Sequence, residues 1–339
     1  HNKETVPVTA DLLPEVRRLI DEGKNNQASS LIADEADRQL VGMGAKQRWP
    51  LIPHPAFDLR IQYPDRPASV NGKYRRQLDL ETGVASVFYD EENGMTESVF
   101  SSRKHNVNVI RLKAGNQEKI NTILSFEETP GRQGMHFEHN LDSAFLSVEP
   151  GAIPGWLTYH AAYANDPGGY DGLARVTQKG GNMQQEGSCL KIEDADEILV
   201  LVRITPLADG KTSEEMNVRQ ELSGLSDSYE ELLSLHSKEH KEMFCRMQLD
   251  LGCASEWKEI PTEQMLETVS KQGVTPLFME QMHAMGRYLL ISSCGKYPPP
   301  LQGIWGGGWK PNWIGGFVWD SNINLAISAD SMRHVPVCT

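Results

Sequence analysis

The sequence is short of basic charge. Its 339 residues carry 33 Lys and Arg against 46 Asp and Glu, a formal net charge of -13. Phosphate backbones are held by basic surfaces, so this balance argues against nucleic acid as a partner. Long apolar runs are missing as well. No stretch approaches the ~18 residues of a membrane-spanning helix, so no membrane span is expected. Cysteine is scarce: Cys189, Cys245, Cys253, Cys294 and Cys338 make an odd number, and no two form a CxxC pair. Neither a disulfide framework nor a zinc site is indicated. The opening "HNKETVPVTADLLPE" lacks the charged start and apolar stretch of a signal peptide.

Several chemical signatures are absent too. "IWGGGWK" is Gly-rich with a following Lys, but without Gly-Lys-Ser/Thr it is not a phosphate loop. There is no GxSxG elbow and no HExxH pattern. His136 and His139 in "HFEHN" have no carboxylate frame around them. At that spacing on a strand they would point to opposite faces and share no metal. "NDPGGYDG" (165–172) offers Asp166 and Asp171 as hard oxygen ligands, yet lacks EF-hand spacing and reads as a surface turn. No metal and no organic cofactor are expected.

What is present is a globular composition, 39% hydrophobic and 23% charged, in a chain long enough for two domains. Leu12, Val16, Leu19 and Ile20 fall at helical spacing, with Gly23 as a stop and a second helical stretch from Ala28 to Leu40. From about 58 to 205 the period changes. "FDLRIQY", "ESVFSSRKHNVNVIRLKA" and "ADEILVLVRIT" are short apolar runs between turn signals such as Asn71-Gly72, Asn93-Gly94 and Gly180-Gly181. Many short strands punctuated by turns predict a β-sandwich. Residues 227–251 return to helix, with Tyr229, Leu232, Leu233, His236 and His240 on one face and Asp227 as the expected cap. A strongly apolar helix follows over 275–295, opened by Thr275-Pro276 and closed by Gly295.

The last stretch is the one that carries chemistry. "LQGIWGGGWKPNWIGGFVWDSNINL" sets Trp305, Trp309, Trp313 and Trp319 at spacings of four, four and six. Some of these rings are expected to pack a domain junction. The functional alternative is a carbohydrate platform, in which sugar C–H faces stack on indoles and amides bind hydroxyls. Asn322 and Asn324 lie two apart. In extended backbone both amides share one face and can grip one water or one hydroxyl.

Several segments together resemble glycoside hydrolase family 95, the inverting α-L-fucosidases and their α-L-galactosidase relatives. They are "LLPEVRRLIDEGKNNQASSL", "YRRQLDLETGVASVFYDEENGMTESVFSSRKHNVNVIRL", "LLSLHSKEHKEMFCRMQLDLG" and the Leu-Gln-Gly-Ile-Trp segment followed by Asn-x-Asn. The resemblance covers nearly the whole chain. It implies a β-rich N-terminal super-sandwich with an early helical segment over 1–225 and a helical linker over 226–254. It also implies the first part of an (α/α)6 barrel over 255–339. Asn322 and Asn324 match the paired asparagines that position and activate the attacking water. Asp320, Trp305, Trp319 and Gln302 match the sugar subsite. The implied substrate is a glycan ending in α-linked L-fucose or an L-galactose-like sugar, and the implied compartment is periplasmic or extracellular. The remainder of the barrel is the implied partner; a non-catalytic carbohydrate-binding or structural remnant is the alternative.

The sequence departs from the family pattern at three places. Asp320 stands where members often have His, and "LAISADS" follows the Asn pair where members continue with an Asn-Tyr-Trp-Pro-like run. The family's general-acid Glu and its Asp partner lie beyond the position of Thr339, which implies a truncated or partial member. Without a proton donor the leaving alkoxide is poor, and general acid catalysis contributes roughly 10²–10⁴-fold. The 339-residue chain alone is therefore expected to turn over no aryl α-L-fucoside. Measurable release of the aryl group by the purified chain would place the carboxylates within it.

Overall fold

The computed structural model describes residues 7–42, 54–64, 74–89, 94–116, 118–136, 139–164, 167–253, 260–295 and 298–316. By its contacts the chain divides into His1–Ile52 and Pro53–Thr339. In the first unit, α1 (Leu13–Asp21) and α2 (Asn25–Gly42) form a helical pair. They pack Val16 and Leu19 on Ala28, with Leu12, Leu31 and Ile32 alongside. The predicted stop is where the sequence placed it. Gly23 has φ +74, a left-handed conformation that glycine adopts without a Cβ penalty.

The second unit is built on two antiparallel sheets. Its strands, in chain order, are β1 (Asp58–Gln62), β2 (Arg75–Asp79), β3 (Val84–Phe88), β4 (Thr96–Ser102), β5 (Val107–Lys113) and β6 (Ile120–Glu127). The short β7 (Met135–His136) and β8 (His139–Asn140) follow, then β9 (Phe145–Ile153), β10 (Trp156–Tyr163) and β11 (Gly169–Lys179). The last three are β12 (Asn182–Glu186), β13 (Cys189–Ala195) and β14 (Glu197–Leu207). The small sheet has the order β1-β6-β13-β12, and the large sheet β2-β3-β4-β5-β14-β11-β10-β9. Strands β7 and β8 form a separate two-stranded ribbon.

Alternation along the strands decides what goes where. On the small sheet Leu124, Phe126, Leu190 and Ile192 are buried; on the large sheet Ile110, Leu112, Leu157, Tyr159, Ile198 and Val200 meet them in one core. The alternate residues Val107, Val109, Leu173, Leu199 and Leu201 face the other way. That outer face is covered by α3 (Glu215–Ser223) and α4 (Tyr229–Phe244), through Val218, Leu222, Tyr229 and Leu232. Strand β14 reads Glu-Ile-Leu-Val-Leu-Val because both of its faces are covered. Each fully buried Leu, Ile or Val stabilises the fold by about 1.5–3 kcal/mol relative to exposure.

The helix expected over 275–295 is found near those bounds, whereas the one expected over 227–251 ends at Phe244, and its cap also differs from the expected one. Helix α4 is capped by Ser228, whose side chain accepts from the Glu231 amide at 3.2 Å. Asp227, the expected cap, instead accepts from Arg175 Nη2 at 2.9 Å. The same guanidinium donates to the carbonyls of Leu225 and Ser226, so a buried β11 arginine holds the turn between α3 and α4. After α5 (Thr262–Gln272), α6 (Pro276–Ser293) begins under the Thr275 side-chain cap, as predicted. Two buried charges on α6 secure the segment that precedes α5. Glu280 accepts from the Leu251 amide at 2.6 Å, and Arg287 donates to the carbonyl of Met243 at 2.9 Å. Among the described residues no helix is long and apolar enough to cross a membrane.

The two histidines predicted on one face of α4 are buried and hold the turn between β2 and β3. His236 Nε2 donates to the Thr82 carbonyl at 2.8 Å, and its ring stacks on Phe100 at 4.6 Å. His240 Nε2 donates to the Leu80 carbonyl at 2.9 Å. Burial pushes the His236 pKa down to about 4, against the Thr82 hydrogen bond, and lowers that of His240. The unfolded chain, with histidines near the ordinary value of about 6.5, therefore takes up protons first. Stability from these groups is complete above about pH 6.5 and is lost as pH falls toward 4. A His236→Gln variant keeps a donor for Thr82 and does not titrate. Its urea midpoint is expected to drop less than that of the wild type between pH 6.5 and 4.5; parallel drops would refute this assignment.

Candidate functional site

Helix α6 delivers the aromatic segment. At its C-terminus the guanidinium of Arg103, from the turn between β4 and β5, donates to the carbonyls of Ile291 and Cys294, the latter at 2.6 Å. A cation there satisfies carbonyls that the helix leaves without partners. The chain then passes Pro298–Pro300 and forms a closed loop, in which the Leu301 amide donates to the Gly316 carbonyl at 2.9 Å. Gln302 Nε2 crosses the loop to the Asn312 carbonyl at 3.0 Å. The Trp305 ring lies over Gly303, where a Cβ would come within 3.0 Å of it. Half of Trp305 remains exposed, and Ile304 beside it is 63% exposed.

The tryptophans of this segment divide between two uses. Trp305 presents a ring to solvent, while Trp309 is only 5% exposed. Trp309 Nε1 donates to the Thr129 carbonyl at 2.7 Å, and its ring stacks on His54 at 5.2 Å. Phe145 of β9 meets it edge-on at 5.7 Å. Trp309 is thus one of the rings that pack a junction, here against the end of the sandwich. No sequence signal pointed to His54, Thr129 or Phe145 as its seat, because they come from three separate segments. Gln302 and Trp305 share the loop, and Gln302 accepts the Trp305 amide on its backbone carbonyl at 3.2 Å. Trp319, Asp320, Asn322 and Asn324 lie outside the described residues, as does the side chain of Trp313.

A second polar constellation lies on the outer face of the large sheet. A cleft of about 250 Å³ is lined by Glu149, Thr158, His160, Asp171, Leu173 and Glu215, among others. Asp171, read from the sequence as part of a surface turn, is instead a buried β11 residue. One carboxylate oxygen faces His160 Nδ1 at 2.6 Å; the other accepts from Ser213 Oγ at 2.8 Å and the Glu214 amide at 2.7 Å. His160 Nε2 faces the Gly210 carbonyl at 2.8 Å. Both ring nitrogens face acceptors, a setting that favours the doubly protonated ring. Desolvation pulls the His160 pKa down, but Asp171, the Gly210 carbonyl and the field of Glu149 together raise it above the ordinary value. The arrangement is a clasp on the start of α3. Both His160 ring nitrogens are engaged by the fold, which gives this residue a structural role. The register also places His136 and His139 opposite each other across a hairpin, and not along one strand as expected. Among the described residues no group of three or more His, Cys, Asp or Glu is placed to hold a metal ion.

Residues 1–209 match the family model described as glycosyl hydrolase family 65, N-terminal domain. Residues 228–328, from α4 through the aromatic segment, match that of the glycosyl hydrolase family 95 catalytic domain. Residues 228–328 thus form a segment of the glycosyl hydrolase family 95 catalytic-domain type. Among curated relatives, alpha-L-fucosidase 2 of Arabidopsis thaliana is 27% identical, over 94% of this chain and 39% of the relative. The protein named "Probable alpha-fucosidase A" of Aspergillus niger is 25% identical, over 75% of this chain and 33% of the relative. The chain therefore spans between a third and two-fifths of the length of these relatives. The family 95 match takes in the described loop with Gln302 and Trp305, and it extends through the positions of Asn322 and Asn324.

The Asp171 clasp gives a testable consequence. Asp171→Asn removes the charge partner of His160 and leaves buried donors poorly satisfied, at a cost of about 1–3 kcal/mol. A histidine whose folded pKa is raised contributes stability at low pH and loses it as pH rises through the folded value. The loss caused by Asp171→Asn is thus expected to be larger at pH 6 than at pH 9, read from urea unfolding. An equal loss at both pH values would mean that His160 is not charged in the fold.

Proposed function

We propose that the chain is part of a glycoside hydrolase that acts, as the full-length protein, on glycans ending in α-linked L-fucose or an L-galactose-like sugar, with inversion of configuration. The observation that carries this reading is the family 95 catalytic-domain match across residues 228–328, with α-fucosidases among the relatives that align over most of the chain. In this reading 1–225 is the super-sandwich domain, 226–254 the helical linker, and 255–339 the beginning of an (α/α)6 barrel.

Inversion requires an acid on the leaving oxygen and a base acting through water from the opposite face of the ring. An amide is too weak a base to deprotonate water by itself. The role assigned to Asn322 and Asn324 is to orient that water while a carboxylate polarises it. Trp305 and Trp319 stack against the sugar, and Gln302 and Asp320 meet its hydroxyls. The half-exposed ring of Trp305 suits that task, since an indole face takes up the apolar C–H face of a pyranose.

The test is hydrolysis of aryl α-L-fucoside and aryl α-L-galactoside by the full-length protein, with the anomer of the released sugar followed by NMR. Release of the β-anomer first supports the reading; release of the α-anomer, or no release, overturns it. Variants sharpen it. Asn322→Ala and Asn324→Ala are expected to lower kcat strongly and to change KM less, because water positioning acts in the transition state. Asp320 accepts hydrogen bonds from a sugar hydroxyl and cannot donate as histidine can. Sites built to bond a hydroxyl reject the analogue lacking it, by up to about 10⁴–10⁵. Asp320→His should therefore raise kcat/KM for the fucoside relative to the galactoside. A ratio that does not move would remove Asp320 from the subsite.

A further inference from the structure

We propose that Trp309 is a positioning residue for the sugar subsite: seated in the end of the sandwich, it sets where the loop carrying Gln302 and Trp305 stands. The inference rests on the hydrolase reading above and adds to it a duty for the sandwich. The loop of residues 301–316 holds six of the chain's glycines, at 303, 306, 307, 308, 315 and 316. Such backbone has many alternatives to lose, and a binding surface built on it needs an external anchor to be formed before the ligand arrives.

The anchor is made of consecutive residues. Trp309 donates through Nε1 to the Thr129 carbonyl at 2.7 Å, and Lys310 Nζ donates to the Gln133 carbonyl at 2.6 Å. Both acceptors belong to the one segment between β6 and β7. The floor under Trp309 is itself fixed. His54 stacks on the indole within 6° of parallel. Its Nδ1 faces the Pro55 carbonyl at 2.7 Å; a carbonyl only accepts, so Nδ1 carries a proton. Its Nε2 meets the Tyr163 hydroxyl at 2.8 Å. Phe145 closes the side, its ring stacked on Tyr163 at 5.7 Å. A buried indole needs both an apolar slot and an acceptor for its N–H, and the sandwich end supplies the two together.

On the opposite side of the loop the Leu301–Gly316 hydrogen bond and the Gln302–Asn312 crossing close the base. Between these ties stand Ile304 and Trp305, the exposed apex. Trp309 is four residues from Trp305 and makes no use of its own ring for a ligand, since that ring is buried. Its effect on the reaction passes through the placement of Trp305 and Gln302.

The experiment compares wild type, Trp309→Ala and Trp309→Phe in the full-length protein. The readouts are hydrogen exchange of the peptide covering 301–306, and kcat/KM on an aryl α-L-fucoside. Trp309→Ala is expected to speed exchange there by about tenfold or more while β10 and β11 are unchanged. It should also lower kcat/KM by about 10–100-fold, the scale on which small misplacements act. Trp309→Phe keeps a ring in the slot and should recover part of both losses. Should Trp309→Ala fail to fold, His54→Leu, which removes the stacked ring and spares the Thr129 hydrogen bond, must give the same pairing of loosened loop and reduced kcat/KM. A loop whose exchange is unaltered overturns the anchor; a loosened loop with unaltered kcat/KM overturns the positioning role. If the wild type hydrolyses neither fucoside nor galactoside, the hydrolase reading fails and with it the positioning role, while the exchange arm still decides whether Trp309 holds the loop.

Discussion

Burial of both faces of the large sheet is the constraint on which the other features of this protein rest. Strand β14 carries apolar side chains up and down, while β11 turns Tyr170, Ala174 and Val176 to the inner core and buries Asp171, Leu173 and Arg175 on the outer face. One face is closed by the four-stranded sheet, the other by α3 and α4. Covering the second face is what commits the chain after Leu207 to helix. It also fixes the direction in which α4 leaves the sandwich, because Tyr229 and Leu232 must lie over Phe100 and Leu201. From that one placement follow the contacts of His236 and His240 with the turn between β2 and β3, and the docking of α6 beside the end of α4.

Buried charge does the locating that apolar packing cannot. Hydrophobic contact is non-directional and leaves segments free to slide. Arg175, Arg287 and Glu280 are buried, and each binds backbone groups of a neighbouring segment at a defined place. A charge removed from water requires its hydrogen bonds to be met, so each of these side chains specifies one geometry for the loop it holds. The same logic places Asp171, whose carboxylate gathers His160, Ser213 and the Glu214 amide at the start of α3.

The aromatic segment joins the two regions that the family models separate. Its first described half is tied back to the sandwich by Trp309 and Lys310, and to α6 through the packing of Gly303 on Ser293. A run of glycine and tryptophan is an economical way to build such a bridge. Glycine lets the backbone turn tightly, and the large flat rings supply contact area with few torsions to freeze.

Local pattern alone determined much of this. The change from a period of 3.6 to a period of 2 near residue 58 announced the sandwich, and Thr275-Pro276 announced α6, because cap chemistry and amphipathic spacing are properties of neighbouring residues. The order of motifs was enough to point to family 95. Tertiary structure alone decided which of two adjacent polar residues caps α4, since Asp227 is drawn away by an arginine from a distant strand. It decided that Asp171 is a buried clasp and no turn residue, because its partners His160 and Ser213 arrive from other elements. It also decided which tryptophan packs and which faces water. The indoles of Trp305 and Trp309 are alike in sequence context, and only the slot formed by His54, Phe145 and the Thr129 carbonyl distinguishes them. Those groups are far apart along the chain, so their coincidence in space is written in the packing of the sheets and not in any local pattern.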